Sequence, residues 1–137
     1  MSSQRPEVLF LCVHNAGRSQ MAAGFARQLG AERLIVHSAG SAPGETLNPV
    51  VVEAMREKGV DLTSESPRKL TDEMGRSADV IVTMGCGDEC PVYLGKRYLD
   101  WELTDPSGKG LDEVRSIRDD IESRVRDLVA ELLATTP

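Results

Sequence analysis

Short apolar runs alternate along the chain with segments in which apolar residues recur every three or four positions. The apolar runs predict four β-strands, at residues 8–13, 34–37, 79–84 and 98–103. The segments with helical spacing predict four α-helices, at residues 20–29, 49–58, 71–77 and 111–132. Such alternation is typical of βαβ units around a parallel sheet. The pattern therefore predicts a small doubly wound α/β fold, with a four-stranded parallel sheet flanked by helices.

Helix-end signals fix two boundaries within this pattern. Asn48 followed by Pro49 is typical of an N-cap residue and the first residue of a helix, and Gly59 is typical of a helix end. Residues 60–70 are mostly polar and contain a proline, which predicts a loop. The prediction is then of a helix that begins at Pro49, followed by a long connection before residue 71.

The unusual residues of the chain follow the predicted strands. Cys12 opens the loop after the first strand, and residues 38–44 form a corner of small residues after the second. Cys86 and Cys90 follow the third strand, and Asp105 follows the fourth. In doubly wound folds, ligands bind outside the carboxyl ends of the strands. We therefore expect these four loops to meet in one site.

Composition and charge restrict the functions to consider. The 137 residues fit one domain, residues 1–137, and 40% hydrophobic with 28% charged residues is ordinary for a globular protein. The net charge of −6 argues against broad attraction to nucleic acid or to an anionic membrane. The first apolar run is too short for a signal peptide or a transmembrane helix, which predicts a cytoplasmic location. Three cysteines, an odd number, favour reactive thiols or a metal site over a disulfide framework.

The loop that Cys12 opens has the composition of an oxyanion-binding site. Its successive backbone N–H groups and the helix start bind a tetrahedral anion, and the Arg18 guanidinium adds a two-pronged contact. The same field stabilises a thiolate on Cys12, and the Ser19 hydroxyl is placed to donate to its sulfur. The alternative is a buried, inert cysteine. The candidate substrate-binding residues are Val13, His14, Asn15, Ala16, Gly17, Arg18 and Ser19.

Asp105 and Pro106 form the second candidate element. A carboxylic acid over the pocket can protonate an oxygen that leaves when a thiolate attacks, and proline stiffens its loop. Asp-Pro is also an ordinary turn dipeptide. Both interpretations stay open on spacing alone.

Cys86 and Cys90 are separated by three residues. If they span one helical turn, their Cα atoms lie roughly 6 Å apart, within the range of a disulfide. Gly85 and Gly87 allow the segment to rearrange, and an exposed or strained disulfide is easily reduced. The alternatives are half of a zinc site or two buried thiols.

The two histidines and the tryptophan fit less specific roles. His14 is expected to shape the loop or its electrostatics, and not to act as a general base. His37 is interpreted as a partly buried histidine with its hydrogen bonds satisfied, and Trp101 as core or pocket wall. Neither histidine is in zinc-motif spacing with Cys86 and Cys90. No metal site is predicted.

Taken together, the motifs at residues 8–21, 37–40, 83–86 and 105–108 resemble the low-molecular-weight protein tyrosine phosphatase superfamily. Within it, the resemblance is closest to the arsenate reductases and covers about residues 8–133. It implies a phosphatase-like fold of flavodoxin-like topology, with the Cys12 loop as the phosphatase-type anion loop. A phosphatase of this superfamily needs Cys12, Arg18 and Asp105, and usually carries aromatic residues after the Asp-Pro pair. Here residues 107–109 are Ser-Gly-Lys, which favours reduction over hydrolysis.

The resemblance also implies a thiol relay. Cys12 attacks arsenate while Asp105 protonates the departing oxygen, Cys86 attacks the Cys12 adduct, and Cys90 moves the disulfide to Cys86 and Cys90. Thioredoxin, kept reduced by NADPH through its reductase, restores the dithiol, so no bound cofactor is expected. The alternatives are a reductase coupled to mycothiol and mycoredoxin, a tyrosine phosphatase, and a non-catalytic oxyanion sensor.

Some relatives bind potassium through a glutamate near the start of the first helix. This chain has Ala22 and Ala23 there. A potassium site is therefore not predicted.

Overall fold

The computed structural model describes residues 5–85 and 93–134. The strands are β1 (Glu7–Cys12), β2 (Ile35–Gly40), β3 (Val80–Thr83) and β4 (Arg97–Asp100). The α-helices are α1 (Arg18–Gly30), α2 (Pro49–Arg56), α3 (Asp72–Ser77) and α4 (Leu111–Ala134), with a 3₁₀ turn at Ala31–Arg33. All strand pairs are parallel, in the order β2-β1-β3-β4. The predicted order of elements and the doubly wound α/β fold are confirmed.

The central strand β1 buries alternate side chains on the two faces of the sheet. Val8, Phe10 and Cys12 belong to the larger apolar core, which the inner faces of α1, α2 and α4 complete. Leu9 and Leu11 belong to a smaller core on the other face. A strand covered on both faces must be apolar at every position, which is why residues 8–12 form a continuous apolar run. The end of β1 is thereby fixed in the middle of the fold.

Capping groups explain where the shorter helices begin. The Asn48 side chain accepts a hydrogen bond from the Val50 N–H at 2.9 Å, and Pro49 is the first residue of α2. The Thr71 hydroxyl accepts from the Met74 N–H at 3.2 Å at the start of α3. The helix predicted at 49–58 ends earlier, at Arg56, and a turn leads to Gly59 with φ +77°.

Strand β2 extends further than the pattern indicated. The predicted strand ended at His37, but Ser38, Ala39 and Gly40 pair with the last three residues of β1. Small residues suggested a corner, whereas here they allow close packing. A Cβ on Gly40 would lie 2.5 Å from the Val13 carbonyl oxygen. A glycine at this position therefore lets β2 run directly behind the Cys12 loop.

Strand β4 is shorter than predicted. It ends at Asp100, the register partner of Thr83, because β3 itself ends at Thr83. The Trp101 N–H still donates to the Thr83 carbonyl at 2.9 Å. Residues 101–103 then leave the sheet and lead towards Asp105.

Charged groups connect α2 to α4. The buried Arg118 donates to the Ala54 carbonyl at 2.9 Å and to Glu57 at 2.8 Å. Arg115 also binds the Glu57 carboxylate. Hydrogen bonds from Arg115 and Arg118 lower the pKa of Glu57 to about 2. In the described part of the chain, no helix combines the length and the apolar character needed to cross a membrane.

Candidate active site

The Cys12 loop connects the end of β1 to the start of α1. Cys12 is the last residue of β1 and only 2% exposed. Its sulfur lies 3.2 Å from the Asn15 backbone nitrogen, which donates to it, and 2.9 Å from the Ser19 hydroxyl oxygen. The contact between Ser19 and the sulfur is the one that the sequence predicted. The sulfur is thus held by a backbone N–H and a hydroxyl group near the N-terminus of a helix.

Asn15 holds the loop in shape. Its φ is +52°, in the left-handed region that asparagine tolerates better than most residues, and it is fully buried. Its Oδ1 accepts from the Arg68 N–H at 2.8 Å and from Gln20 Nε2 at 3.0 Å. Its Nδ2 donates to the Ser19 hydroxyl at 2.6 Å. Sequence reasoning placed Asn15 in the loop but gave it no separate role, although an asparagine in a tight loop is a known signal for positive φ.

Arg18 and Asp105 meet across the site. The Arg18 guanidinium is buried, with Nη2 at 3.7 Å from Asp105 Oδ2 and Nη1 at 3.4 Å from the Leu103 carbonyl. The Asp105 side chain is 53% exposed. Its Oδ1 accepts from the Ser107 N–H at 3.0 Å, so the turn considered as an alternative is present and holds the carboxylate. An acid and a cation therefore face the same space.

That space is a cavity of about 220 Å³. It is lined by Cys12, His14, Ala16, Gly17, Arg18, Gly44, Asn48, Asp105, Pro106 and Ser107. The loops after β1, β2 and β4 thus meet at one edge of the sheet, as the position of the strand ends predicted. The lining residues that the structure describes include no phenylalanine, tyrosine or tryptophan.

Two glycines let the walls of the site approach each other. A Cβ on Gly17 would lie 2.8 Å from Pro106 Cγ, so the Asp105 loop rests on the Cys12 loop. A Cβ on Gly85, whose φ is +86°, would lie 2.5 Å from Arg18 Nη1. Sequence reasoning placed Gly17 in the anion loop and gave Gly85 a backbone role, but it could not identify these contacts, because they join segments far apart in the chain.

Cys86 and Cys90 lie outside the described residues. Their relay and their disulfide stay predictions. Gly85, the last described residue before Cys86, packs against Arg18 at the edge of the site.

His37 and Trp101 have the structural roles that the sequence predicted. His37 Nε2 lies 3.0 Å from Glu7 Oε2, so the partly buried histidine has a polar partner. Trp101 is buried, with its ring centroid 6.1 Å from that of Phe10. It therefore belongs to the core and does not line the cavity. Ala22 and Ala23 are fully buried in the apolar core.

Comparison with known proteins identifies the family. The model of the family described as low molecular weight phosphotyrosine protein phosphatase matches residues 7–136. The chain belongs to this family. A putative arsenate reductase of Halobacterium salinarum is 40% identical over 127 residues, which cover 89% of each chain. A glutaredoxin arsenate reductase of Synechocystis is 33% identical over 129 residues, or 92% of this chain and 98% of the relative.

A solved structure gives the same result for the fold. The thioredoxin-dependent arsenate reductase of Corynebacterium glutamicum superposes with a TM-score of 0.86 at 42% identity. The match covers 99% of this chain and 66% of that neighbour, so this chain spans about two thirds of the neighbour's length. The family's sequence signature and its fold therefore agree along nearly the whole chain.

Proposed function

We propose that this protein is an enzyme that reduces arsenate to arsenite, with Cys12 as the nucleophile. The observation that carries the proposal is the cavity of about 220 Å³ in which Cys12, Arg18 and Asp105 face one another. The names of the relatives support arsenate as the substrate. A small cavity without a large aromatic side chain in its described lining suits a compact oxyanion better than an aryl ester.

Arsenate binding is assigned to the Cys12 loop. The loop's backbone N–H groups and the N-terminus of α1 bind the oxyanion, and the Arg18 guanidinium contacts two of its oxygens. Arg18 is already beside the cavity, and its contacts to Leu103 and Asp105 are long enough to exchange for a ligand. Its planar fork suits a tetrahedral anion.

The chemical step begins with attack of the Cys12 thiolate on arsenic. A sulfur–arsenic bond forms, an arsenic–oxygen bond breaks, and Asp105 protonates the departing oxygen, which leaves as water. The Cys86 thiolate then attacks the Cys12 sulfur. The electron pair of the sulfur–arsenic bond stays with arsenic, which leaves as arsenite, and a Cys12–Cys86 disulfide remains. Cys90 attacks Cys86, which frees Cys12 and leaves a Cys86–Cys90 disulfide.

A thiol reductant completes the cycle by reducing that disulfide. We assign this role to thioredoxin, supplied by NADPH through its reductase, because a structural neighbour at 42% identity is thioredoxin-dependent. Mycothiol with mycoredoxin is the alternative coupling. The relative in Synechocystis carries the name of glutaredoxin, so that reductant belongs in the same test. A cytoplasmic location, where such reductants keep thiols reduced, is part of the proposal.

The experiment is a coupled assay of arsenate-dependent NADPH oxidation, run in parallel with each of the three reductant systems. Cys12→Ser is expected to abolish turnover with all of them. Cys86→Ser and Cys90→Ser are expected to abolish turnover with thioredoxin, since each breaks the relay. Activity of Cys12→Ser near that of the wild type would overturn the proposal. Survival of the Cys86 and Cys90 variants with mycothiol and mycoredoxin would assign the other route.

Hydrolysis of a phosphate ester is the second candidate, because Cys12, Arg18 and Asp105 also suffice for a phosphatase. An aryl phosphate is therefore assayed with the same protein. We expect its hydrolysis to be far slower than arsenate reduction. Fast hydrolysis without arsenate reduction would favour the phosphatase. Stoichiometric arsenate binding without either reaction would favour a sensor.

A further inference from the structure

The side chain of Gln20 is buried beside the Cys12 loop, and its orientation can be assigned. Gln20 is the third residue of α1 and is 1% exposed. Its Nε2 lies 3.2 Å from the Asn15 carbonyl oxygen, 3.0 Å from Asn15 Oδ1 and 3.2 Å from the Ser66 carbonyl oxygen. The two carbonyl oxygens can only accept hydrogen bonds, so the amide must present its nitrogen to them.

The orientation of Gln20 helps to fix that of Asn15. Asn15 Oδ1 faces two donors, Gln20 Nε2 and the Arg68 N–H. The other end of the Asn15 amide, Nδ2, must then point to the Ser19 hydroxyl, 2.6 Å away. The Ser19 oxygen accepts this bond.

The direction of the Asn15 bond leaves the single hydroxyl hydrogen of Ser19 for the Cys12 sulfur. Because the Ser19 oxygen accepts from Asn15, its own proton is available for Cys12 Sγ at 2.9 Å. A thiolate is a pure acceptor, and a hydrogen bond to the charged form favours that form. The donors therefore run in one direction, from Gln20 through Asn15 and Ser19 to the sulfur.

We propose that Gln20 is a positioning residue that favours the thiolate of Cys12 by fixing the direction of this hydrogen-bond chain. The inference rests on the proposed role of Cys12 as nucleophile. It also accounts for an unfavourable feature of Gln20: its buried Oε1 has no hydrogen-bond partner among the described residues. An unpaired buried acceptor destabilises a fold. A glutamine at this position is explained by what its nitrogen does for Asn15.

The test measures iodoacetamide alkylation of Cys12 against pH, with the Cys12 peptide resolved by mass spectrometry. Gln20→Met keeps the length of the side chain and removes its donor. It is expected to raise the midpoint of the profile by about half a pH unit, and Ser19→Ala by about one unit, as expected for loss of a hydrogen bond to a charged group. In the Ser19→Ala background, Gln20→Met is expected to cause no further rise, because its effect passes through Ser19.

A matched control separates this effect from the substitution itself. Gln28→Met makes the same change on the exposed part of α1, where Gln28 contacts the Lys58 carbonyl, and should leave the midpoint unchanged. The titratable and charged groups that line the cavity with Cys12 are His14, Arg18 and Asp105. They are the same in all variants, so differences between the profiles report the hydrogen-bond chain.

Two results would overturn the inference. One is a lower melting temperature for Gln20→Met with an unchanged midpoint, which indicates a structural role alone. The other is additive shifts in Gln20→Met and Ser19→Ala, which indicate independent action.

If Gln20→Met does not fold, Gln20→Glu keeps the length and, when ionised, offers Asn15 an acceptor. A rise that disappears in the Ser19→Ala background supports the inference. Equal rises in both backgrounds would mean a through-space charge effect and overturn it. The arsenate assay is independent: coupled shifts without arsenate reduction would refute only the proposed function, and additive shifts with full arsenate reduction only the role of Gln20.

Discussion

Arg18 and Arg118 are buried to almost the same extent, with 9% and 7% of each residue exposed. Arg118 makes short hydrogen bonds to the Ala54 carbonyl and to Glu57, at 2.9 and 2.8 Å. Ala54 is in the last turn of α2, where carbonyls lack partners within the helix. The guanidinium of Arg118 therefore satisfies the end of one helix and holds it to another.

Arg18 interacts with its neighbours over longer distances. Its guanidinium lies 3.4 Å from the Leu103 carbonyl and 3.7 Å from the Asp105 carboxylate, at the wall of a cavity. Burial strengthens its field, and the long distances leave its donors available to an oxyanion. Burial alone does not separate a structural arginine from a ligand-binding one. The length and number of its internal hydrogen bonds do.

The largest predicted effect is the loss of arsenate reduction when Arg18 is replaced. Arg18→Lys keeps the charge but removes the planar fork, and we expect kcat/KM for arsenate to fall by about 100- to 1000-fold. The free energy of unfolding should change by less than about 1 kcal/mol, because the Arg18 guanidinium is only weakly bonded to Leu103 and Asp105. Arsenate turnover and urea unfolding measure the two. A variant that keeps its activity would remove Arg18 from the site.

For Arg118 we expect the reverse, a loss of stability with activity retained. Arg118→Met keeps an apolar stem and removes the short hydrogen bonds, so we expect a decrease of about 2–3 kcal/mol in the free energy of unfolding. Turnover of the folded variant, measured well below its melting temperature, should stay within about threefold of wild type because Arg118 does not line the cavity. Unchanged stability, or a large decrease in turnover of the folded variant, would contradict this division of roles.

A third prediction concerns the backbone that packs against Arg18. Gly85 and Gly95 have similar positive φ values, +86° and +81°, so an alanine strains the backbone by about 1–2 kcal/mol at either position. Only at Gly85 would the new Cβ meet a guanidinium, at 2.5 Å, whereas nothing lies within 4 Å at Gly95. We expect both variants to be destabilised to a similar degree, and Gly85→Ala alone to bind inorganic phosphate about tenfold more weakly by calorimetry. Equal affinities would mean that Gly85 does not position Arg18.

The smallest expected effect is on the pH dependence of the free energy of unfolding, through Glu57 and its two arginine partners. Arg115 and Arg118 lower the pKa of Glu57 from 4.5 to about 2. A depressed carboxyl pKa stabilises the folded state above the unfolded value, so this contribution is complete above about pH 4.5 and is lost as the pH falls towards 2. Glu57→Gln should therefore flatten this part of the curve of unfolding free energy against pH. An unchanged slope between pH 5 and 3 would refute the coupling.

Much of the fold could be predicted from the chain because its signals are local. The continuous apolar run of β1 and the three- and four-residue spacing in α4 each report the environment of one element. Asn48 and Pro49 mark the start of α2 by interactions within a few residues. The end of β2 was misplaced because small residues are common both in corners and in closely packed strands.

The candidate site was predictable in place but not in detail. Cys12, Arg18 and Asp105 were selected from their positions after predicted strands, and the structure brings them to one cavity. The roles of Asn15 and Gln20 were not found, because each depends on partners in the loop at residues 66–68.

By itself, the sequence determined the order of the elements, the parallel sheet and the edge at which the reactive residues gather. These follow from periodicity and capping, which act over a few residues. The sequence already placed Arg18 in the anion loop, but only the tertiary structure showed that both arginines are buried and that Arg118 is bound within the protein while the Arg18 donors stay beside a cavity. Whether an arginine's N–H donors are already bonded depends on groups that the fold brings from distant parts of the chain. Local sequence patterns do not show which distant groups will lie beside a given side chain.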